Sequence, residues 1–463
     1  MIRLFRVLVP VGALTLLVSE ILLISAAFVA SVYFFSPQDP GYYLIYDRGI
    51  TNIAIILCAM LIALYLQDLY TDIFVKSGAV LLLQLCVTVG LAMIVQALIS
   101  YADHTMRMPL HVMVPGATMA AIAIFGWRLL FSNYAHDVVG RDSLLLVGGS
   151  DMLADIGHYI VEHPELALRI AGYVDDTHEL GTALPGGKVL GRLENLREVV
   201  TATNPTRVVV GMPERRSRVP VAELLELRFA GRIIEEAPTA YERVCGRVSV
   251  KELRPSQLIY TGELGPRRQT LFYQTVSNLA LAVVAAVAAL PFMILTALAV
   301  KVTSKGPALY RQQRVGRDGI PFTLYKFRSM RVDAEKGTGA VWASKDDPRV
   351  TPVGRIIRKI RFDELPQVFN VLRGEMSIVG PRPERPEFVR TLSEKIPYYR
   401  QRHCVRPGIT GWAQINYKYG DTMEDVVTKL EYDLYYIKNM SLSLDTYIAF
   451  HTLKAMLTSR GAQ

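Results

Sequence analysis

The sequence predicts a four-helix membrane bundle, then an α/β domain, then a third domain that carries a membrane helix of its own. Four long apolar runs lie within residues 1–132, alternating strand and helix patterns occupy residues 133–266, and a fifth apolar run opens residues 267–463. The chain has 463 residues, of which 51% are hydrophobic. This length suits about three domains, and the composition indicates a membrane protein.

The four N-terminal runs cover residues 7–35, 50–66, 77–99 and 110–131. Each is long enough to cross a hydrocarbon core of about 30 Å as a helix. The first is too long for the apolar core of a signal peptide, so we expect it to stay attached. Arg3 and Arg6 favour a cytoplasmic N-terminus, and an even number of spans returns the chain to the cytoplasm near Arg128 and Arg141.

Glu20 lies inside the first span, where an ionisable side chain is costly and is often functional. The other spans contain no carboxylate, and their one histidine, His111, lies at the very start of the fourth span. We therefore favour a side chain that faces the bundle and is locally paired or protonated, with a functional role as the alternative.

The middle segment alternates strand-like and helix-like patterns. Strands are predicted at residues 143–149, 167–176, 207–211 and 232–236, with helices at 152–162 and 219–229. This order indicates a parallel layer of Rossmann type. Gly148 and Gly149 do not complete a dinucleotide fingerprint, and Asp151 would face any pyrophosphate. We favour a regulatory or oligomerisation domain, because a nucleotide-sugar dehydratase or oxidoreductase would need that fingerprint and a Tyr-x-x-x-Lys pair.

The fifth apolar run, residues 271–300, contains Pro291 about two thirds along its length. Basic residues flank both ends, Arg267 and Arg268 before it and Lys301 and Lys305 after it. A segment that enters and leaves through one anionic leaflet would show this pattern, whereas a spanning helix normally has basic residues at one end. We predict a re-entrant hairpin with its break at Pro291, and an ordinary fifth span is the alternative.

Charge and cysteine usage narrow the function classes. Residues 267–463 carry 30 basic and 17 acidic side chains, a net +13 that exceeds the +9 of the whole chain. Such an excess of basic side chains indicates binding to anionic lipid headgroups, to phosphorylated substrates or to nucleic acid. No motif in the sequence resembles a nucleic-acid-binding module. The four cysteines show no C-x-x-C or metal-ligand spacing, so neither a disulfide framework nor a zinc site is expected.

Residues 361–383, RFDELPQVFNVLRGEMSIVGPRP, form the best candidate for a phosphate-handling site. Pro366 is tolerated only in the first turn of a helix, so we expect a helix to begin near Asp363, with that carboxylate at the N-cap and Glu364 just inside. The N-terminus of a helix favours phosphate. An aspartate at this position could attack phosphorus.

Three motifs carry a family resemblance: YRQQRVGRDGIPFTLYKFRSM from residue 310, FDELPQVFNVLRGEMSIVGPRP, and RPGITGWAQINYKYG from residue 406. Together they resemble the bacterial sugar transferases, the monotopic phosphoglycosyl transferases, over residues 267–463. The four spans and the Rossmann-like segment are similar to the large subgroup that transfers hexose 1-phosphate to polyisoprenyl phosphate. One departure is Glu375, which stands where the family most often has Asp.

The resemblance implies a mixed α/β monotopic catalytic domain on the cytoplasmic face of the bacterial inner membrane. There a nucleoside diphosphate sugar, most often a UDP-sugar, would react with undecaprenyl phosphate through a covalent intermediate on Asp363. Glu364 would hold Mg²⁺ or assist proton transfer. The reaction would be the first membrane step of exopolysaccharide or O-antigen synthesis, with inner-leaflet phospholipids as further partners and a homodimer left open. The alternative is a non-enzymatic assembly protein, against which the intact Asp-Glu pair argues.

Candidate ligands for the diphosphate are Lys326, Arg328, Arg361 and Arg382, because guanidinium and ammonium groups bind phosphate oxygens. Arg314, with Gly316 and Gly319, would either bring the backbone near the site or form a plain hairpin turn. Further candidate substrate ligands are Gln367, Asn370, Arg406 and Trp412. Gln367 and Asn370 could instead satisfy the backbone, and Trp412 could stack on a base or lie at the bilayer interface.

Overall fold

The computed structural model describes most of the chain, namely residues 2–4, 7–9, 11–37, 39–70, 75, 77–138, 142–166, 168–212, 220–251, 268–332, 334, 347–417 and 422–457. These residues form two compact units, one made of Met1–Leu4 and Leu8–Ala237 and the other of Phe5–Val7 and Pro238–Gln463. The predicted domain boundary near residue 266 stays a prediction, because residues 252–267, including Arg267, lie outside the described residues.

The first unit begins with two short strands and five helices: β1 (Ile2–Leu4), β2 (Val7–Val9), α1 (Val11–Phe35), α2 (Pro40–Ile45), α3 (Gly49–Leu66), α4 (Gly78–Ala102) and α5 (Leu110–Val138). The four predicted apolar runs are confirmed as α1, α3, α4 and α5, each long and apolar enough to cross a membrane. Phe28, Met60, Leu85 and Ile124, one from each of these helices, are fully buried in their shared core.

The rest of this unit is an α/β layer with strands β3 (Asp142–Val147), β4 (Leu168–Val174), β5 (Ala183–Leu184), β6 (Gly187–Gly191), β7 (Arg207–Val210) and β8 (Ile233–Glu236), and helices α6 (Asp151–Glu162), α7 (Leu196–Thr203) and α8 (Val221–Phe229). The sheet order is β5-β6-β4-β3-β7-β8, parallel except for the β5–β6 pair. The four predicted strands are confirmed as β3, β4, β7 and β8. The predicted start of α8 at Val219 lies outside the described residues.

The second unit contains helices α9 (Ala237–Cys245), α10 (Arg268–Thr303), α11 (Pro352–Lys359), α12 (Val368–Leu372), α13 (Pro386–Lys395), α14 (Trp412–Asn416), α15 (Met423–Asn439) and α16 (Leu442–Leu457). Its strands are the antiparallel hairpin β9 (Leu309–Val315) and β10 (Pro321–Phe327) and the parallel pair β11 (Ser377–Val379) and β12 (Gly408–Thr410). A 3-10 turn, Arg317–Gly319, closes the hairpin, so Gly316 and Gly319 lie in a plain hairpin connection.

Helix α10 corresponds to the predicted fifth apolar run. It is one helix of 36 residues that includes Pro291, so the helical assignment shows no interruption at the predicted break. Both halves pack against the rest of the same unit, through Ala282 in the first half and Met293 in the second. Near its start, the Gln274 amide donates to Tyr436 Oη (2.8 Å) and Asp445 Oδ2 (2.9 Å). At its end, the Ser304 carbonyl accepts from Arg328 Nη2 at 2.9 Å. The side chain of Arg268 lies outside the described residues.

Candidate active site

The Asp-Glu pair lies on a tight turn that follows α11. Arg361 adopts the left-handed conformation, with φ of 57°, and ends α11 as its amide donates to Arg358 O at 3.1 Å. A 3-10 helix, Phe362–Gln367, begins at the next residue and leads into α12. The prediction that Asp363 is the N-cap is therefore wrong. The left-handed residue Arg361, which follows the end of α11, is the N-cap of the 3-10 helix, so Asp363 is the second residue of that helix.

Glu364 is held by three cationic side chains from three parts of the chain. Its Oε1 accepts from Lys326 Nζ and from Arg382 Nη2, each at 3.1 Å, and its Oε2 is 3.9 Å from Arg361 Nη1. Burial by itself would raise the pKa of Glu364, but the charges of Lys326, Arg382 and Arg361 outweigh it and hold the pKa well below its usual range. Glu364 is therefore ionised throughout the neutral range.

Asp363 has the opposite environment although it is the next residue. Its side chain is buried, with 8% exposed, and burial followed by the negative charge of Glu364 raises its pKa above that of an ordinary aspartate. Lys326, Arg358 and Arg382 oppose this shift. Within the described ranges no hydrogen bond to its carboxylate is found. A dehydrated carboxylate that is near cations but bonded to none of them retains its lone pairs for reaction.

A small cleft lies beside the pair, with a volume of about 230 Å³ including its solvent-open part. Its lining joins the β9–β10 hairpin, the turn after Asp363 and the Gly-Pro-Arg-Pro loop: Arg314, Leu324, Lys326, Gln367, Arg382, Pro383 and Gly408. Three of the seven lining side chains are cationic. An anionic group with several oxygens, such as a diphosphate, fits this electrostatic environment.

Two predicted ligands have other partners in the structure. Arg328 is buried and donates from Nη1 to Lys305 O (2.6 Å) and from Nη2 to Ser304 O (2.9 Å), so it caps the end of α10. Asn370 donates from Nδ2 to Thr323 O and to Glu375 Oε2, both at 2.7 Å, and its Oδ1 accepts from the Tyr325 amide at 3.2 Å. Both side chains fasten the hairpin and α10 around the site, and Glu375 takes part by orienting Asn370.

Trp412 and Arg406 also lie away from the Asp-Glu pair. The Trp412 ring is 5% exposed, stacks on Tyr435 with centroids 5.5 Å apart, and donates from Nε1 to Gly246 O at 2.8 Å. It belongs to the core of the unit. Arg406 Nη1 donates to Thr275 Oγ1 on α10 at 3.2 Å. The structure thus brings Lys326, Arg361 and Arg382 to the pair and places Gln367 and Arg314 in the adjoining cleft.

Sequence reasoning missed Arg358, whose charge lowers the pKa of Asp363. Arg358 is in the last turn of α11 and its Nε donates to Ser329 Oγ at 2.8 Å. A sequence signal was present, because Arg355, Arg358 and Arg361 recur at three-residue spacing just before the pair. That spacing places successive arginines on one side of a helix.

The Asp-Glu pair is the donor set available for the Mg²⁺ expected from the sequence. In the part of the chain that the structure describes, no group of three or more His, Cys, Asp or Glu side chains could hold a metal ion. Mg²⁺ typically uses one or two protein carboxylates and completes its octahedron with phosphate oxygens and water. Asp363 accepts no hydrogen bond from the described residues, and Glu364 is anionic, so two carboxylates fit an ion that arrives with a phosphorylated substrate.

Comparison with known proteins identifies the class. The family model for bacterial sugar transferases matches residues 269–459. The chain is 46% identical over 222 residues to UDP-N-acetylgalactosamine-undecaprenyl-phosphate N-acetylgalactosaminephosphotransferase of Aeromonas hydrophila, covering 48% of this chain and 52% of that protein. It is 34% identical over 326 residues to UDP-glucose:undecaprenyl-phosphate glucose-1-phosphate transferase of Xanthomonas campestris pv. campestris, covering 69% and 67% respectively.

A third relative is the undecaprenyl-phosphate glucose phosphotransferase of Komagataeibacter xylinus, 34% identical over 323 residues, or 68% of this chain and 59% of that protein. The matches thus span about half to two thirds of the length of these relatives. The second and third matches extend well beyond the catalytic segment that the family model covers. The chain belongs to the bacterial sugar transferase family.

Proposed function

We propose that this protein transfers a sugar 1-phosphate from a nucleoside diphosphate sugar to undecaprenyl phosphate and releases a nucleoside monophosphate. The observation that carries the proposal is the contrast within the pair: Glu364 is bonded to cations, and the buried Asp363 beside it accepts no hydrogen bond from the described residues. The names of the relatives support a UDP-sugar as donor and undecaprenyl phosphate as acceptor.

In the first step, an oxygen of Asp363 attacks the phosphorus that carries the sugar. The bond from that phosphorus to the bridging oxygen breaks, and the nucleoside monophosphate leaves with the bonding electrons. In the second step a phosphate oxygen of undecaprenyl phosphate attacks the same phosphorus and releases the Asp363 carboxylate. A carboxylate nucleophile thereby divides one displacement between an aqueous and a lipid substrate into two steps at one site.

The cations that surround Glu364 would stabilise this chemistry. Lys326 and Arg382 lie 3.1 Å from a carboxylate oxygen, so they already hold a negative group in position before substrate arrives. Donors fixed in advance stabilise the charge that develops on phosphate oxygens without reorganising. Glu364 would hold Mg²⁺, which supplies Lewis-acid stabilisation of phosphate charge.

The direct test incubates membranes that contain the protein with a panel of nucleoside diphosphate sugars and undecaprenyl phosphate. We expect nucleoside monophosphate release with one or a few donors, and ping-pong kinetics. Membranes with Asp363→Asn are the matched control. Absence of nucleoside monophosphate release with every donor, from protein that is folded and inserted, would refute the proposed reaction.

We also propose that α10 is re-entrant, so that the catalytic unit rests on the cytoplasmic face of the inner membrane. Residues near both ends of α10, Gln274 and Ser304, bond to side chains of one folded unit, which supports the proposal. A straight span would separate two such ends by the membrane thickness, about 30 Å of hydrocarbon. In between, exposed apolar side chains such as Val284, Val287 and Leu295 are suited to lipid.

The topology test places single cysteines at Gln269 and Thr303 after removal of Cys58, Cys86, Cys245 and Cys404. Thr303 is exposed and its hydroxyl bonds only within its own helix, at Ala299 O, so the substitution leaves the Arg328 contacts intact. We expect both cysteines to react only from the cytoplasmic side. Modification of either one by an impermeant thiol reagent outside intact cells would refute the hairpin.

For the α/β layer of the first unit we propose a Rossmann-like domain with a regulatory role. The order of its parallel strands supports the fold, and the turn after β3 supports a non-catalytic role. Gly148, at φ of 110°, approaches the Gly211 carbonyl so closely that a Cβ atom would overlap it. The tight turn is not followed by the remaining glycines of a dinucleotide fingerprint, and the acidic Asp151 begins α6 where a pyrophosphate would lie. Addition of NAD or NADP should therefore leave the thermal midpoint unchanged, and a shift would contradict the assignment.

A further inference from the structure

The loop that carries Arg382 is fixed by hydrogen bonds to its main-chain carbonyls. It joins β11 to α13 and contains two prolines, whose nitrogens donate no hydrogen bond. Four successive carbonyls nevertheless all accept hydrogen bonds: Pro381 O from Gly408 N (2.9 Å), Arg382 O from Arg402 Nη2 (3.0 Å), Pro383 O from Arg314 Nη1 (3.1 Å) and Glu384 O from Val315 N (2.9 Å). Two of the four donors are arginine side chains.

Arg402 is the more buried donor of the two, and a buried carboxylate holds it. Its side chain is 7% exposed, and its Nη2 and Nε lie 2.7 Å and 3.1 Å from Asp433 Oδ2 on α15. Its Nη1 donates to Tyr399 Oη at 2.7 Å. The planar guanidinium thus binds three different partners with its orientation fixed, which an ammonium group could not do.

The loop connects this buried pair to the proposed reaction. The main chain of Arg382 is bonded by Arg402, while the side chain of Arg382 reaches Glu364 Oε1 at 3.1 Å. A phosphate-binding cation has to be held within about 0.5 Å of its productive position. A change in the Arg402 contact would act directly on the main chain of Arg382, the residue that carries the cation.

We propose that Arg402, held by Asp433, is a positioning residue that sets Arg382 for the diphosphate of the donor. The inference rests on the proposed function for its role in transfer. The effect of Arg402 on anion binding by Arg382 can be measured without a sugar or a lipid.

The experiment is a double-mutant cycle on the full chain with Arg402→Lys and Arg382→Ala, using inorganic pyrophosphate as the probe and titration calorimetry as the readout. Lys438→Met is the matched control. Lys438 lies on α15, as Asp433 does. Its Nζ donates to Glu242 Oε2 on α9 at 2.8 Å, and that partner is outside the loop that carries Arg382. This variant measures how the loss of an ion pair elsewhere on α15 affects pyrophosphate binding.

We expect Arg402→Lys to weaken pyrophosphate binding by about 10- to 100-fold in the otherwise wild-type protein, as misplacement of a catalytic cation by about 1 Å does. In the Arg382→Ala background, Arg402→Lys should change the affinity for pyrophosphate by less than about twofold, because the guanidinium that Arg402 positions is absent. Lys438→Met should leave pyrophosphate binding unchanged in both backgrounds.

An equal loss in both backgrounds would overturn the proposal, since a merely structural role would act whether or not Arg382 is present. Wild-type protein that binds no pyrophosphate would overturn it as well. If Arg402→Lys unfolds at a lower temperature than the control, the cycle is run with Asp433→Asn, which retains an acceptor for Arg402. Failure of the proposed transfer would appear separately, as wild-type protein that binds pyrophosphate but releases no nucleoside monophosphate.

Discussion

Two buried acidic sites in this molecule differ in how their carboxylates are bonded. In the apolar helices of the first unit, Glu20 is fully buried, and its two oxygens accept from Arg128 Nε at 2.7 Å and from Tyr70 Oη at 2.6 Å. In the second unit, Asp363 is 8% exposed and accepts no hydrogen bond from the described residues. Both carboxylates are similarly buried, yet both oxygens of Glu20 accept hydrogen bonds, whereas those of Asp363 accept none from the part of the chain that the structure describes.

The contrast shows that burial of a carboxylate does not by itself indicate function. Glu20 and Arg128 pair with each other and join α1 to α5, so removal of either partner would leave a buried charge uncompensated. Asp363 is dehydrated but accepts no compensating hydrogen bond from the described residues, because Lys326 and Arg382 bind Glu364 instead. A protein retains an unpaired buried carboxylate where its reactivity is used.

The sharpest test of this contrast is Asp363→Asn. We expect it to abolish transfer, a loss of about 10⁴-fold or more, because the amide is no nucleophile toward phosphorus. Stability should be unchanged or higher at pH 7. The raised pKa of Asp363 means that its contribution to stability is present at low pH and is lost as pH rises through that pKa. Retained transfer activity in protein free of wild-type chain would disprove the nucleophile.

Glu364→Gln should change stability in the opposite direction. The low pKa of Glu364 contributes stability above the pKa of an unfolded glutamate, and this is lost only as pH falls through the folded value. We expect transfer to fall by about 10²- to 10³-fold and the free energy of unfolding at pH 7 to fall by about 3 kcal/mol, because Lys326 and Arg382 lose their counter-ion. Thermal melts of the wild type and the variant at pH 7 measure this loss, and equal stability at pH 7 would contradict the ion-pair assignment.

Glu20→Gln should affect stability and not chemistry. Removal of one partner leaves Arg128 buried without a counter-ion, which costs about 3 kcal/mol. We expect a lower thermal midpoint and an unchanged turnover number per folded molecule. The exposed Glu198→Gln, with no change in either quantity, is the control. A reduced turnover number with normal stability would show that Glu20 is functional after all.

The smallest effect is expected from Trp412→Phe, which tests whether this ring is core or ligand. Loss of the hydrogen bond to Gly246 O should reduce the free energy of unfolding by about 1 kcal/mol and leave the KM for the donor unchanged. A ring that stacks on the base of the donor would instead contribute about 1–3 kcal/mol to binding. A KM raised tenfold would therefore place the nucleotide against Trp412.

Local signals in the sequence were sufficient for the apolar helices and the strands β3, β4, β7 and β8, because hydrophobic length and alternation act over a few residues. They placed a helix start near the Asp-Glu pair but missed that Arg361, and not Asp363, is its cap. They were insufficient for partners that come from distant segments. Arg128 was expected beside the membrane and lies inside α5, paired with Glu20. That pairing confirms the favoured prediction that Glu20 is locally paired, with an arginine as its partner.

The same limit explains the candidate ligands. Arg328 and Arg382 are arginines in similar basic motifs, yet one caps α10 and the other reaches Glu364. The side-chain amide of Asn370 bonds through both its nitrogen and its oxygen to the hairpin, and through its nitrogen to Glu375 as well. Residue type and spacing cannot distinguish these outcomes, because the difference lies in which chain segment packs alongside.

The left-handed residue Arg361 has a consequence for how the site assembles. The turn that places Asp363 is made by bonds between near neighbours, such as Arg361 N to Arg358 O, so it can form early from a short piece of chain. The cations that contact Glu364 are Lys326 and Arg382, which lie 38 and 18 positions away from it. The backbone geometry is thus encoded locally and the charge around it over long range, so a partly folded chain would form the turn and still lack the cations.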